Sequence, residues 1–456
     1  MHRRSLLAAA LLAAAVVLAP VTHAARAPKK IYVAPRGSGA LFLVSGHGWG
    51  HGVGMGQWGA EGYALQGYSY DEILAAYYPG TALSTSTVKK IRVLLADGKR
   101  KLTVSSDQPI AVVDGNRKKH TLPAGATTFT TKLPYAGPLT LAPAKGSTLT
   151  LGRAYRGKFL VDVVNRRLRV IDMLPLEQYL YGVVPSEMSS TWQPDALEAQ
   201  AVASRSFALA SRRKGGPFDV YSDTRSQAYL GVAAESPEAT AAVDATKGQV
   251  LMYGTKVATT VFSSSTGGWT QSSADAWGGS RPYLISVKDP YDGISPWHNW
   301  GPVPVTGKTL AKALGIAGKP VDAVITRNSS KRVSELDLTS LVSGGEDQTA
   351  VSGSSTATRL DLRSTWFSVG VLSLQPPVPN PAVTAGTTVT LTGVVRGAKN
   401  VVLQERSPGG AWTQLQTVTP EPGTGQISID VTPAATTDYR LATAADAAAY
   451  VRIRVN

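Results

Sequence analysis

The chain contains no cysteine. That excludes disulfides, a thiolate metal site and a lipid anchor carried on cysteine. It also lacks, after its first residues, any run approaching the ~20 unbroken apolar residues that a membrane helix needs. The apolar run Leu6–Ala19 is shorter, follows Arg3 and Arg4, and leads into small residues suited to cleavage. Residues 1–27 therefore read as a secretory signal peptide, and the mature protein is expected to be exported, with no membrane anchor. Acidic residues are scarce beside basic ones, 31 against 46, for a formal charge of +15 that falls to +12 without Arg3, Arg4 and Arg26. Outside a cell, the polyanions such a surface meets are wall polymers and lipid headgroups, so no nucleic-acid partner is expected. About 430 mature residues suggest two or three domains.

After a leader, 28–44, comes SGHGWGHGVGMGQWGAEGYALQG, whose glycines argue against an ordinary strand or helix and permit close backbone approach. Residues 88–172 alternate in short runs such as IRVLL, LTVSS and FLVDVV, the pattern of an antiparallel β-domain. From Pro194 to Arg213 an Ala-rich run has helical spacing, Pro and Asp at its start, basic residues at its end, and Gly215-Gly216 as a stop. The four prolines of LQPPVPNP, 374–381, mark a boundary, and strand follows strand beyond it. That spacing reads as a small β-sandwich at 371–456, taken for a spacer or wall-adhesion module without a cluster of titratable groups.

Chemistry concentrates in a few places. Glu187 sits between Pro185 and Met188 in what reads as an apolar, hydroxyl-rich turn. Such surroundings raise a carboxyl pKa, as a general acid requires, although a cap or ion pair at the helix start is the plainer reading. His47, Trp49, His51 and Gln57 interleave the glycines. They suit hydrogen bonding or stacking on sugars, bracing of the loop, or loop structure alone. Two histidines without a third ligand make a poor metal site, so neither metal nor cofactor is expected. Trp277 belongs with Trp49 as an aromatic in a Gly-rich loop, where stacking competes with core packing. Asp223 and Gln227 in YSDTRSQ either line a cleft or order the Glu187 turn. Ser264 and Ser265 offer hydroxyls for glycan contact, and no His–Asp pair is spaced nearby to make a serine nucleophilic.

LPLEQYLYGVVPSEM…ALEAQAVASRSFAL resembles the signature of the stage II sporulation protein D (SpoIID/LytB) family. YSDTRSQAYLGV, FSSSTGGWTQSSADAWGG and GHGWGHGVGMGQWGA resemble further family blocks, and TRLDLRSTWFSV resembles the closing strand of actinobacterial members. The likeness spans 45–370. It implies an α+β fold: a SpoIID-like catalytic domain with the 88–172 β-domain inserted, then an Ig-like β-sandwich. It further implies a secreted, wall-located lytic transglycosylase with Glu187 as acid/base, acting on peptidoglycan glycan strands. Other members are described as enhancers of a cell-wall amidase, a second partner class. The glycine–histidine block stands first here, although it lies near the C-terminus in the commoner arrangement. A shared site would require that loop to fold back onto the cleft. The cysteine zinc site of some members has no counterpart.

Overall fold

The computed structural model describes residues 39–456; the expected signal peptide lies outside them. The described chain is a mixed α+β protein with several sheets and falls into two compact units, 60–262 and 39–59 with 263–456. Among the described residues no helix is long and apolar enough to cross a membrane.

In the unit 60–262, a seven-stranded sheet runs in the order 220–221, 90–99, 167–175, 158–164, 139–142, 110–113 and 119–122. Its neighbours are antiparallel except the short Val220–Tyr221, which lies parallel to Lys90–Lys99. Strands 101–106 and 125–130 pair in a second, four-stranded sheet. Helix Leu176–Glu187 follows directly on strand Arg167–Pro175, because Pro175 ends the ladder and fits the entry to a first turn. The long helix spans Pro194–Ala210, so the basic residues at 212–214 lie beyond it. It is alanine-rich on the sides it buries, and Ala199, Ala201 and Ala203 have no exposure. Arg205, also wholly buried, ties it to the preceding helix through Glu177 at 2.6 Å and donates to the Gln249 carbonyl at 3.0 Å. At the N-terminal end of the long helix, Glu61 accepts from the Gln193 amide at 2.9 Å and Asp195 from the Tyr70 amide at 3.0 Å. Burial holds the Glu61 carboxyl above the usual range.

The other unit is organised on strand Leu41–His47. It sits between Asn299–Thr306 and Phe367–Gln375, antiparallel to both, in a five-stranded sheet continued by Val389–Arg396 and Gln426–Val431. The strand reads LFLV without polar alternation because both its faces are covered. Leu41 and Leu43 enter a core with Leu391, Leu403, Ile429 and Leu441, while Phe42 and Val44 enter another with Leu310, Leu338 and Phe367. The first core is closed by a four-stranded sheet ordered 413–417, 402–406, 437–442 and 451–453.

Three expectations change. The boundary placed at 371 falls inside strand Phe367–Gln375, which pairs with Leu41–His47 on one side and Val389–Arg396 on the other. The glycine-rich block does form regular structure, a strand to His47 and a helix Gln57–Leu65, and its left-handed glycines lie between and after them, at 48, 50, 52 and 54 and at Gly67. Gly52 shows why one is needed: with φ at +71, an added Cβ would lie 2.2 Å from the Arg332 guanidinium. Glu187 is not in a turn; it is the last residue of its helix.

Candidate functional site

Helix Leu176–Glu187 buries Tyr179, Leu180, Val183 and Val184 and ends where the Met188 amide closes on the Val184 carbonyl at 2.9 Å. Ser186 donates back to the Gly182 carbonyl at 2.7 Å. Glu187 is thereby held half-buried at the C-terminal end of a helix, where the dipole also disfavours a negative charge. The Ala228 amide donates to its Oε1 at 3.0 Å. Burial dominates over that bond and pushes the carboxyl up to about 7. At neutral pH such a group is divided between acid and base, as proton transfer in both directions requires.

The segment that supplies the Ala228 amide is anchored by its neighbours. Gln227 is buried and its Oε1 accepts from the Tyr179 hydroxyl at 3.3 Å. Tyr229 is buried on the other side, its ring 5.1 Å from that of Tyr179 and 5.4 Å from that of Tyr155. Its hydroxyl donates to Oδ2 of Asp172 at 3.1 Å. Gly182 makes the approach possible, since a Cβ there would stand 3.0 Å from the Tyr229 ring. Asp172 has no exposure, and burial pushes its carboxyl to about 7 despite the tyrosine bond. The same burial holds the Tyr179 and Tyr229 hydroxyls far above their ordinary range. Among the described residues, Asp172 Oδ1 and Gln227 Nε2 find no hydrogen-bond partner.

Of the sequence candidates, Gln227 thus belongs to the framework around Glu187. Asp223 does not order the Glu187 helix end; it is exposed and pairs with Arg225 at 2.7 Å, and that guanidinium lies over Tyr221. Asp172, Tyr179 and Tyr229 were not singled out from the sequence. One signal was available: Asp172 occupies a core-facing position in the series Leu168, Val170, Leu174.

The remaining candidates lie in the unit built on Leu41–His47. His47 packs 4.7 Å from the Trp366 ring, and burial together with His298 holds its pKa below the ordinary value. The Val53 amide donates to His51 Nδ1 at 2.9 Å, and the ring lies 5.3 Å from Trp277, which is exposed. Trp49 is edge-on to Trp297, with the Arg363 guanidinium 3.8 Å from the Trp297 ring centre and 4.9 Å from that of Trp49. Gln57 is buried at the start of its helix. Ser264 accepts the Trp58 amide through its carbonyl at 3.0 Å. Ser265 Oγ, fully buried, donates to Asp292 at 2.8 Å. Asp292 also takes the Thr266 and Gly267 amides and His298 Nδ1, at 2.9, 3.0 and 2.8 Å. A His–Asp pair therefore does exist beside the serine run. It leaves Ser265 bonded to the aspartate rather than to the imidazole, which is not how a serine is activated.

Residues 164–253 match the family model described as SpoIID, Stage II sporulation protein. This chain carries a SpoIID-family domain, and both the Glu187 helix and the 227–229 segment lie in the matched region. Among curated proteins it is similar to stage II sporulation protein D of Bacillus amyloliquefaciens, 33% identical over 34% of this chain and 50% of that one. It is similar to the Bacillus subtilis protein of the same name, 35% identical over 28% of this chain and 42% of that one. An amidase enhancer of Bacillus subtilis is 39% identical over 26% of this chain and 16% of that one. The chain thus spans half or less of the length of these relatives.

Proposed function

We propose that the protein is a secreted peptidoglycan lytic transglycosylase in which Glu187 is the single acid/base. The observation that carries this reading is the Glu187 carboxyl, half-buried, held by the Ala228 amide and raised to about 7. Protonated, it gives its proton to the glycosidic oxygen as the bond from C1 of the muramic residue breaks. As carboxylate it then takes the proton of that residue's C6 hydroxyl, whose oxygen closes on C1. No water is consumed, so the second carboxylate of a hydrolytic glycosidase is not needed. A wall location follows from this reading.

The likeness to an amidase enhancer favours a second reading, a glycan-binding protein that stimulates a cell-wall amidase without cutting glycan. Mass spectrometry of digested peptidoglycan separates the two. Wild-type protein is expected to yield 1,6-anhydro ends and Glu187→Gln none. An absence of anhydro ends with both proteins, together with equal stimulation of an amidase by both, would overturn the enzyme.

A further inference from the structure

We propose that the outward face of the sheet formed by 402–406, 413–417, 437–442 and 451–453 binds a carboxylate-bearing polysaccharide. The proposal is independent of whether Glu187 cuts glycan. One face of this sheet supplies Leu403, Tyr439, Leu441, Val451 and Ile453 to the core. By alternation the other presents Gln404, Arg406, Asp438, Arg440 and Arg452, side by side in register. Along the sequence these residues form no cluster, because they come from three separate strands.

Asp438, wholly buried, fixes two of the guanidiniums, with Arg452 Nε at 2.7 Å and Arg406 Nε at 3.2 Å. Aromatic rings fix all three. The Arg406 and Arg440 guanidiniums lie 4.3 and 4.1 Å from the centre of Trp412, and Arg406 and Arg452 lie 5.1 and 5.6 Å from that of Tyr450. Arg440 uses only Nε, donating to Gln404 at 2.8 Å, and its terminal nitrogens have no acceptor among the described residues. Burial and the charge of Arg406 both act against it. Three guanidiniums therefore stand beside one carboxylate, which bonds only Arg406 and Arg452. A second anion between Arg406 and Arg440 relieves their repulsion and completes the pattern that Asp438 begins.

Asp438 also shows which anion this geometry accepts, a carboxylate taken on guanidinium forks. Since the rings hold the arginines in place, a ligand loses little side-chain freedom on binding. A row of fixed cations on a sheet suits a linear polymer with recurring carboxylates. Single-stranded nucleic acid instead needs free ring faces for its bases, and guanidiniums already lie over those of Trp412 and Tyr450.

The test is titration of the full-length protein with polygalacturonate, with neutral dextran, polyphosphate and oligo-dT in parallel. Arg440→Gln is expected to weaken polygalacturonate binding about tenfold, with the melting temperature unchanged. Lys399→Gln, a charge-matched change at another exposed position, should leave it within about twofold. Gln404→Glu seats a carboxylate on Arg440, so it should also weaken binding while keeping or raising stability. Equal losses for Lys399→Gln and Arg440→Gln would reduce the effect to net charge and overturn the proposal. It also falls if polygalacturonate binds no better than dextran, or if polyphosphate or oligo-dT binds more tightly through Arg440.

Discussion

The Tyr229 hydroxyl donates to Oδ2 of Asp172 at 3.1 Å; both residues are buried, and Tyr229 directly follows Ala228, whose amide holds Glu187. Tyr229→Phe removes this donor and leaves a buried carboxyl with neither oxygen satisfied within the described structure. The cost should be about 1–3 kcal/mol of unfolding free energy, measured by urea denaturation. Because the bond favours the charged form, its loss should raise the Asp172 pKa further.

Asp172 also imposes a pH dependence. Its carboxyl moves from an ordinary 3.8 to about 7 on folding, so the folded state holds its proton more tightly than the unfolded chain. The stabilisation is complete below the unfolded pKa and is lost as pH rises through the folded one. Thermal stability should therefore fall between about pH 4 and 7. Asp172→Asn should flatten that slope, and identical melting-temperature profiles for the two proteins would contradict it.

Glu177→Gln tests the clamp between the two helices. It leaves the Arg205 guanidinium, wholly buried, with carbonyl acceptors only. Removing one partner of a buried pair costs about 3–5 kcal/mol, and the partial exposure of Glu177 places the expected loss near the lower figure. Circular dichroism during denaturation measures it.

Deleting 372–456 should disrupt the unit built on Leu41–His47 rather than release a trimmed core. The cut passes through strand Phe367–Gln375 and strips the core partners of Leu41 and Leu43. Each exposed leucine costs about 2 kcal/mol. Loss of the cooperative transition of that unit, or precipitation, is the expected result. A soluble truncated protein with native near-ultraviolet dichroism would refute it.

Much of this arrangement was legible in the chain. The alternating runs of 88–172 are strands, and the Ala-rich segment is a helix whose start at Pro194 was readable. Glu187 stood out because a carboxylate among apolar neighbours is chemically conspicuous. The framework around it was not legible, because Asp172, Tyr179 and Tyr229 come from a strand, a helix and a loop. Proline punctuation misled at 374–381, where Phe367–Gln375 ends only as the prolines begin. Composition marks where a strand must stop, not which strands it has already joined.

Strand Leu41–His47 carries a consequence for how the chain is made. Its hydrogen-bonding partners, Asn299–Thr306 and Phe367–Gln375, emerge from the ribosome more than 250 residues later. Until then LFLV is an apolar, uncharged strand with both edges open, the kind of segment that pairs with the wrong neighbour. Its sheet is assembled from contacts of high sequence separation, which form slowly, whereas the pairings within 60–262 reach less far, the widest joining Ala82–Thr85 to Gln249–Tyr253. Refolding should therefore show two kinetic phases, the slower one belonging to this strand, and a chaperone that shields 41–44 during synthesis should raise the yield more than one that acts on the finished chain.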